Sequence, residues 1–206
     1  MVERTWARDC DKYFFIVKVD DTMEGHEVSK PFPILQPTNL LKEAYEELTD
    51  KIYKTYMDVY SKYNDYDWYL KADDDTFVFI DNLRKFLKTR NLKYPATYGY
   101  NFKGQFLTDD EWLYYNSGGA GYALSNMAMK RITDELKQNY SYCPMTGVED
   151  LDVGNCLRML SISPQNTMDS KKLEMFHPLT LRDHVYGEYP DWLEKYSVNT
   201  VKRVSL

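Results

Sequence analysis

Residues 67–76 read Asp67-Trp68-Tyr69-Leu70-Lys71-Ala72-Asp73-Asp74-Asp75-Thr76. Trp68, Leu70 and Ala72 alternate onto one side, which is the period of a short strand. Three adjacent carboxylates end that strand, and an apolar run, Phe77 to Ile80, follows them. Adjacent carboxylates repel one another, weakly on a solvated loop and more strongly at the end of a buried strand unless a cation sits among them. Two readings fit. One is an acidic turn that only ends the strand. The other is a site for a hard cation such as Mg²⁺ or Mn²⁺, which takes oxygen ligands and can also bridge a diphosphate. In extended chain Asp73 and Asp75 share a side while Asp74 points away. An EF-hand loop is a poor alternative: it needs Gly at its sixth position and Glu at its twelfth, and counting from Asp73 those are Val78 and Arg84.

On either side of this stretch the pattern alternates between strand and helix. Tyr13 to Val19 (YFFIVKV) is a nearly continuous apolar run, expected as a buried strand in a parallel sheet. Residues 20–38 hold three prolines and read as a surface connection. Leu40, Ala44, Leu48, Ile52, Tyr56, Val59 and Tyr63 recur at helical spacing, with Thr38 or Asn39 as candidate cap. Leu83, Phe86 and Leu87 predict a helix from near Asp81, and Tyr98, Tyr100 and Phe102 predict one further strand. Ser125 can cap a helix carrying Ala128, Ile132 and Leu136. Another helix should begin near Glu149 with Val153, Cys156, Leu157 and Leu160 on its apolar stripe. Beyond Pro164 the periodicity fades, and residues 181–206 read as a poorly defined tail. Strands alternating with helices indicate a single α/β domain with at least part of its sheet parallel. No G-x-G-x-x-G follows the first strand and no P-loop motif is present, which argues against a dinucleotide fold and a P-loop NTPase.

Composition bounds the function. Hydrophobic residues make up 43% of the 206 residues and aromatics 16%, 19 of them tyrosine, enough apolar surface to fold rather than stay disordered. A net charge of −6 disfavours a generic nucleic-acid binder, whose phosphate contacts need clustered Lys and Arg. No apolar run approaches the roughly 18 residues of a membrane helix, and the first seven residues lack the apolar region of a signal peptide. Cys10, Cys143 and Cys156 are either three buried thiols or one disulfide and an unpaired thiol. Asn139-Tyr140-Ser141 fits the N-glycosylation pattern.

Two further segments can carry chemistry. Asn116-Ser117-Gly118-Gly119-Ala120-Gly121-Tyr122 either lets backbone approach a ligand closely or simply turns the chain toward the Ser125 cap. Glu149, Asp150 and Asp152 fall in the first turn of a helix, where the dipole favours negative charge; that placement explains them without a reaction and also suits a general base. His26 sits in the polar connection, His177 in Phe-His-Pro, and His184 reads as a surface residue. No Ser-His-Asp or Cys-His signature is present.

Taken in order, Thr5-Trp6-Ala7-Arg8-Asp9-Cys10, Asp67 to Thr76, Asp81-Asn82-Leu83-Arg84, Ser117 to Tyr122, Glu149-Asp150-Leu151 and Phe176-His177-Pro178 resemble the core 1 β-1,3-galactosyltransferases, within the larger fringe-like family of inverting β-1,3-glycosyltransferases. The resemblance spans roughly residues 2–180. It implies a GT-A fold with a mixed, mostly parallel sheet flanked by helices. The implied reaction moves galactose from UDP-galactose to the 3-hydroxyl of N-acetylgalactosamine on Ser or Thr of a glycoprotein, with Mn²⁺ as cofactor. On that pattern Asp73 and Asp75 are the metal ligands and Asp150 the catalytic base. Lys71, Asp74, Gly118, Gly119, Tyr122 and Glu149 bind the nucleotide sugar. Cys143 and Cys156 match a family pair that brackets the acidic loop, and Cys10 matches a cysteine whose partner lies upstream. The family's first strand, its C-terminal segment with a third metal ligand, and its membrane anchor fall outside this sequence, so 1–206 is expected to be a partial catalytic domain of a Golgi-lumenal enzyme. The resemblance does not carry the missing ligand's role over to His177 or His184. The resemblance is compatible with a homodimer. Two alternatives stay open: a non-catalytic, chaperone-like relative, and a β-1,3-transferase for another sugar.

Overall fold

A computed structural model describes residues 2–18, 33–40, 42, 44–105 and 112–203. In chain order the elements are α1 (Val2–Thr5), β1 (Phe15–Ile16), β2 (Ile34–Leu35), α2 (Leu48–Lys62), β3 (Trp68–Lys71), α3 (Ile80–Lys88), β4 (Thr97–Gly99), β5 (Asn101–Gln105), β6 (Trp112–Asn116), β7 (Tyr122–Ser125), α4 (Asn126–Gln138), α5 (Glu149–Met159), α6 (Leu181–Tyr186) and α7 (Asp191–Tyr196).

The centre is a three-stranded sheet in the order β3-β7-β4. All four residues of β7 are buried, and their side chains alternate between two cores. Tyr122 and Leu124 face Tyr53 and Tyr56 of α2, Met129, Ile132 and Leu136 of α4, and Val153, Cys156 and Leu157 of α5. Ala123 faces the other way, with Tyr98, Leu87 and the partly buried Trp68, Leu83 and Phe86, so α3 covers that side. The result is a mixed α/β domain with helices on both faces of the sheet.

The expectation of a mostly parallel sheet does not hold among the described residues. β7 runs antiparallel to both β3 and β4, and β5 and β6 form an antiparallel ribbon. Parallel pairing is confined to β1 with β2 and to a Thr97–Pro164 bridge. Continuous apolar runs report burial on both faces, not strand direction, and direction is set by connections that periodicity does not reveal.

Other boundaries shift for local reasons. The ladder within Tyr13 to Val19 covers only Phe15–Ile16, half-buried; Val19, most of the 20–38 connection and His26 lie outside the described residues. The helix expected from Leu40 starts at Leu48, after a 3-10 turn over Tyr45–Glu47. Asn39 has φ +59°, incompatible with the extended backbone of an N-cap, and Thr38 spends its N–H and hydroxyl on Asp58 at 2.6 and 3.1 Å. The single strand expected through Tyr98, Tyr100 and Phe102 breaks at Tyr100 into β4 and β5, which belong to different sheets. Ser125 does cap α4, accepting from the Ala128 N–H. Where the sequence suggests a loose tail, α6 and α7 pack back: Leu193 is fully buried, and Ser197 meets the Tyr100 hydroxyl at 2.6 Å.

Candidate active site

The aspartates sit where β3 runs out. The alternation expected to put Asp73 and Asp75 on one side stops at Lys71, because Thr76 closes a turn: its N–H donates to the Asp73 carbonyl at 3.2 Å and its hydroxyl accepts from the Asp73 N–H at 3.2 Å. The same hydroxyl donates to the Gly119 carbonyl at 3.1 Å, and the Trp6 indole N–H donates to the Thr76 carbonyl at 3.0 Å. The turn is therefore pinned by the glycine segment on one side and the N-terminal segment on the other. Asp73 leans back to Lys71, while Asp74 and Asp75 are exposed at the tip. No three His, Cys, Asp or Glu side chains converge into a ready-made metal cage among the described residues.

The second half of the site comes from the glycine segment and the first turn of α5. Gly118 is buried between them. A Cβ there would stand 3.0 Å from Glu149 Oε2, 3.3 Å from Lys71 Nζ and 3.4 Å from Asp150 Cβ. Its N–H donates to Asp150 Oδ2 at 2.9 Å, and the Leu151 N–H donates to Asp150 Oδ1 at 2.8 Å. Two main-chain donors thus orient the Asp150 carboxylate. Gly121 has φ +70°, which favours glycine, and lets the chain pass close to the Lys71 carbonyl.

Lys71 joins the two halves. Its ammonium lies 2.6 Å from Asp73 Oδ1, 3.2 Å from Glu149 Oε2 and 3.4 Å from the Gly118 carbonyl. Burial works against the charge on Lys71, but Glu149 and Asp73 overcome it and hold the ammonium above its ordinary pKa. Burial pushes the Glu149 carboxyl up, opposed by Lys71 and by the Tyr122 hydroxyl. That hydroxyl donates to Glu149 Oε1 at 2.7 Å, and the Tyr56 hydroxyl lies 2.6 Å beyond it. A phenol has one proton, so with Tyr122 donating to Glu149 it is Tyr56 that donates to Tyr122. Burial raises both phenols well above their ordinary range, so both stay protonated. The chain Tyr56–Tyr122–Glu149–Lys71–Asp73 runs from α2 through the sheet to the aspartate turn.

Six of the residues singled out from sequence therefore come together: Lys71, Asp73, Gly118, Tyr122, Glu149 and Asp150. Asp74, Asp75 and Gly119 form the exposed side. Asp152, the third acid of that helical turn, is fully buried and does structural work, accepting from Thr49, from the Thr146 N–H and hydroxyl and from the Gly147 N–H. The pattern gave no sign of Tyr56, which at helical spacing reads as core, or of Tyr115, whose ring lies near Asp150. Phe176-His177-Pro178 flanks the glycine segment, with the Pro178 carbonyl against Gly119. His184 is buried rather than a surface residue; its ring lies 4.5 Å from that of His177, and its Nε2 accepts from the Leu179 N–H at 3.3 Å. Cys143 and Cys156 form a disulfide that ties α5 to the segment before it, and Cys10 is free.

Comparison with known proteins agrees with this arrangement. A galactosyltransferase family model matches residues 38–168, which include the aspartate turn, the glycine segment and the acids of α5. The chain is 29% identical over 203 residues to glycoprotein-N-acetylgalactosamine 3-beta-galactosyltransferase 1 of Xenopus laevis, covering 96% of this chain and 52% of that protein. It is 23% identical over 185 residues to human chondroitin sulfate synthase 3, covering 85% of this chain and 20% of that protein. The chain thus spans about half the length of the first relative and a fifth of the second. With the family model covering well over half of the sequence and the turn, loop and acid pair it spans meeting at one place, the chain belongs to the galactosyltransferase family.

Proposed function

We propose that this chain carries the catalytic domain, GT-A in type, of an inverting β-1,3-galactosyltransferase that moves galactose from UDP-galactose to N-acetylgalactosamine on Ser or Thr of a glycoprotein. The observation that carries the reading is the meeting of the aspartate turn with the Glu149–Asp150 pair across Gly118. The likeness to the Xenopus relative over nearly the whole chain supports the choice of sugars.

The donor set fits a hard divalent ion. Asp73 is partly exposed, and Asp74 and Asp75 offer carboxylates with no protein partner among the described residues. Such oxygens suit a hard cation such as Mn²⁺. Asp73 and Asp75 would hold the ion, which supplies Lewis-acid stabilisation to the departing diphosphate. Asp74 would lie beside the donor.

The protein's own groups do the rest. The acceptor 3-oxygen forms its bond to the anomeric carbon as the bond from that carbon to the diphosphate breaks, and the configuration inverts. The hydroxyl proton passes to Asp150, whose carboxylate keeps lone pairs free beyond the two main-chain N–H bonds. The exposed Gly119 lets substrate come close to backbone, while the buried Gly118 and Tyr122 stand behind the cleft and hold Asp150 and Glu149 through their N–H and hydroxyl. Lys71 and Glu149 fix the distance between the aspartate turn and the base. The disulfide supports a location in the oxidising secretory pathway, as in the Golgi lumen.

The test is UDP release from UDP-galactose with Mn²⁺ and a GalNAc-bearing peptide. Asp150→Asn and Asp75→Ala should each lower the rate by about 100-fold or more, and a chelator should do the same to the parent. Release unchanged in both variants would overturn the residue roles. The chondroitin sulfate synthase likeness favours a second reading, transfer of another sugar. A panel of UDP-sugars separates the two, since that reading requires a faster rate with a donor other than UDP-galactose.

A further inference from the structure

Asn139-Tyr140-Ser141 is the one Asn-x-Ser/Thr triplet in the sequence, and the transferase chemistry uses none of it. The structure places it just past the end of α4. Asn139 has left the helix, with φ −148° and ψ 92°, while its N–H still donates to the Glu135 carbonyl at 2.8 Å. Its carbonyl accepts from the Tyr142 N–H at 3.0 Å, so the triplet sits in a closed turn. Within it the side chains alternate. Tyr140 turns inward, its hydroxyl donating to Asp50 Oδ1 at 2.6 Å and its ring edge-on to Tyr53. Asn139 and Ser141 are exposed, and neither side chain has a partner among the described residues. A bulky group on Asn139 therefore displaces nothing.

An independent feature lies two residues further on. Cys143 is joined to Cys156, and a persistent disulfide belongs to the oxidising compartment in which such triplets are modified. We infer that Asn139 is an N-glycosylation site, taking an oligosaccharide from a lipid-diphosphate-linked donor. In that transfer the Asn139 amide nitrogen bonds to the anomeric carbon of the first sugar. The bond from that carbon to the lipid diphosphate breaks, the lipid diphosphate leaves, and the amide gives up one proton. The inference rests on the secretory-pathway reading given above.

The test expresses the full chain behind a secretory signal in a eukaryotic host and treats the product with peptide N-glycosidase. The expected result is loss of a single glycan, with Asn139 converted to Asp in the peptide mass map. Asn139→Gln and Ser141→Ala should each abolish the shift, Ser141→Thr should keep it, and Asn139→Gln should leave UDP release unchanged. A secreted chain with Cys143–Cys156 oxidised but Asn139 unmodified would overturn the inference, as would a shift that survives both variants. Fractionation of the native protein scores the compartment separately: reduced cysteines outside the secretory pathway would overturn that reading, while the signal-directed chain still decides whether Asn139 accepts a glycan.

Discussion

Lys71 is the cation shared by two acids from different parts of the chain, and its side chain and that of Glu149 are only 13% and 8% exposed. Removing one member of the buried pair strands the other, at a cost of about 3–5 kcal/mol, whereas removing both leaves only Asp73 without its cation, and that carboxylate is 42% exposed and solvated. Lys71→Met and Glu149→Gln should therefore each destabilise strongly, and the double variant by clearly less than their sum, as urea unfolding of the four proteins would measure. His177 gives a pH dependence. Burial, with the His184 ring beside it, lowers its pKa from 6.5 to about 4. The fold thus favours the neutral ring: this stabilisation is fully present above about pH 6.5 and is lost as pH falls toward 4. Melting temperature should drop across that window, and His177→Gln should flatten the drop. At this scale the sequence revealed residue types better than partners. Three aspartates in a row, a glycine run and an acidic pair are visible as patterns, but that Lys71 bridges them depends on which strand end meets which helix start. Tyr56 was invisible, since a buried tyrosine on a helix face looks the same with or without a task.

Among the elements, α4 was the most legible and the reason is local. Ser125 accepts from the Ala128 N–H at 3.2 Å as a helix cap, and its hydroxyl oxygen also accepts from the Ala96 N–H at 2.9 Å. Ser125→Ala removes the cap and leaves a buried sheet-edge donor unpaired, so it should lower stability by about 2 kcal/mol, measured by thermal or urea unfolding. α5 was legible at its start for the same reason, acids in a first turn. The start of α2 was not, because the apolar spacing continues upstream through Leu40 and Ala44 while Asn39 and the 3-10 turn decide where the helix begins. Sheet direction was also hidden: Tyr122-Ala123-Leu124 looks alike in either sense, and only its pairing with β3 and β4 fixes it.

For the whole molecule, the core that α2 and α4 build against one face of the sheet is joined to the site through α5, and the Cys143–Cys156 bridge fastens that helix from behind. A cross-link closing a loop of this size, 13 residues apart, adds about 3 kcal/mol in the chain-entropy model. Cys143→Ser with Cys156→Ser should lower unfolding free energy by about that amount, and reductant should lower the parent to the same level. The bridge was expected from resemblance alone, since three cysteines do not declare a pairing; the packing of α6 and α7 escaped because elements of six residues carry too little periodicity to detect. At the other end of the chain, the Trp6 indole rests on Thr76, the residue directly after the three aspartates. Indole emission responds to what its N–H touches. With the other three tryptophans, Trp68, Trp112 and Trp192, replaced by phenylalanine, the molecule keeps a single indole, excitable apart from its tyrosines and wired to the aspartate turn, an optical gauge of whatever that turn binds.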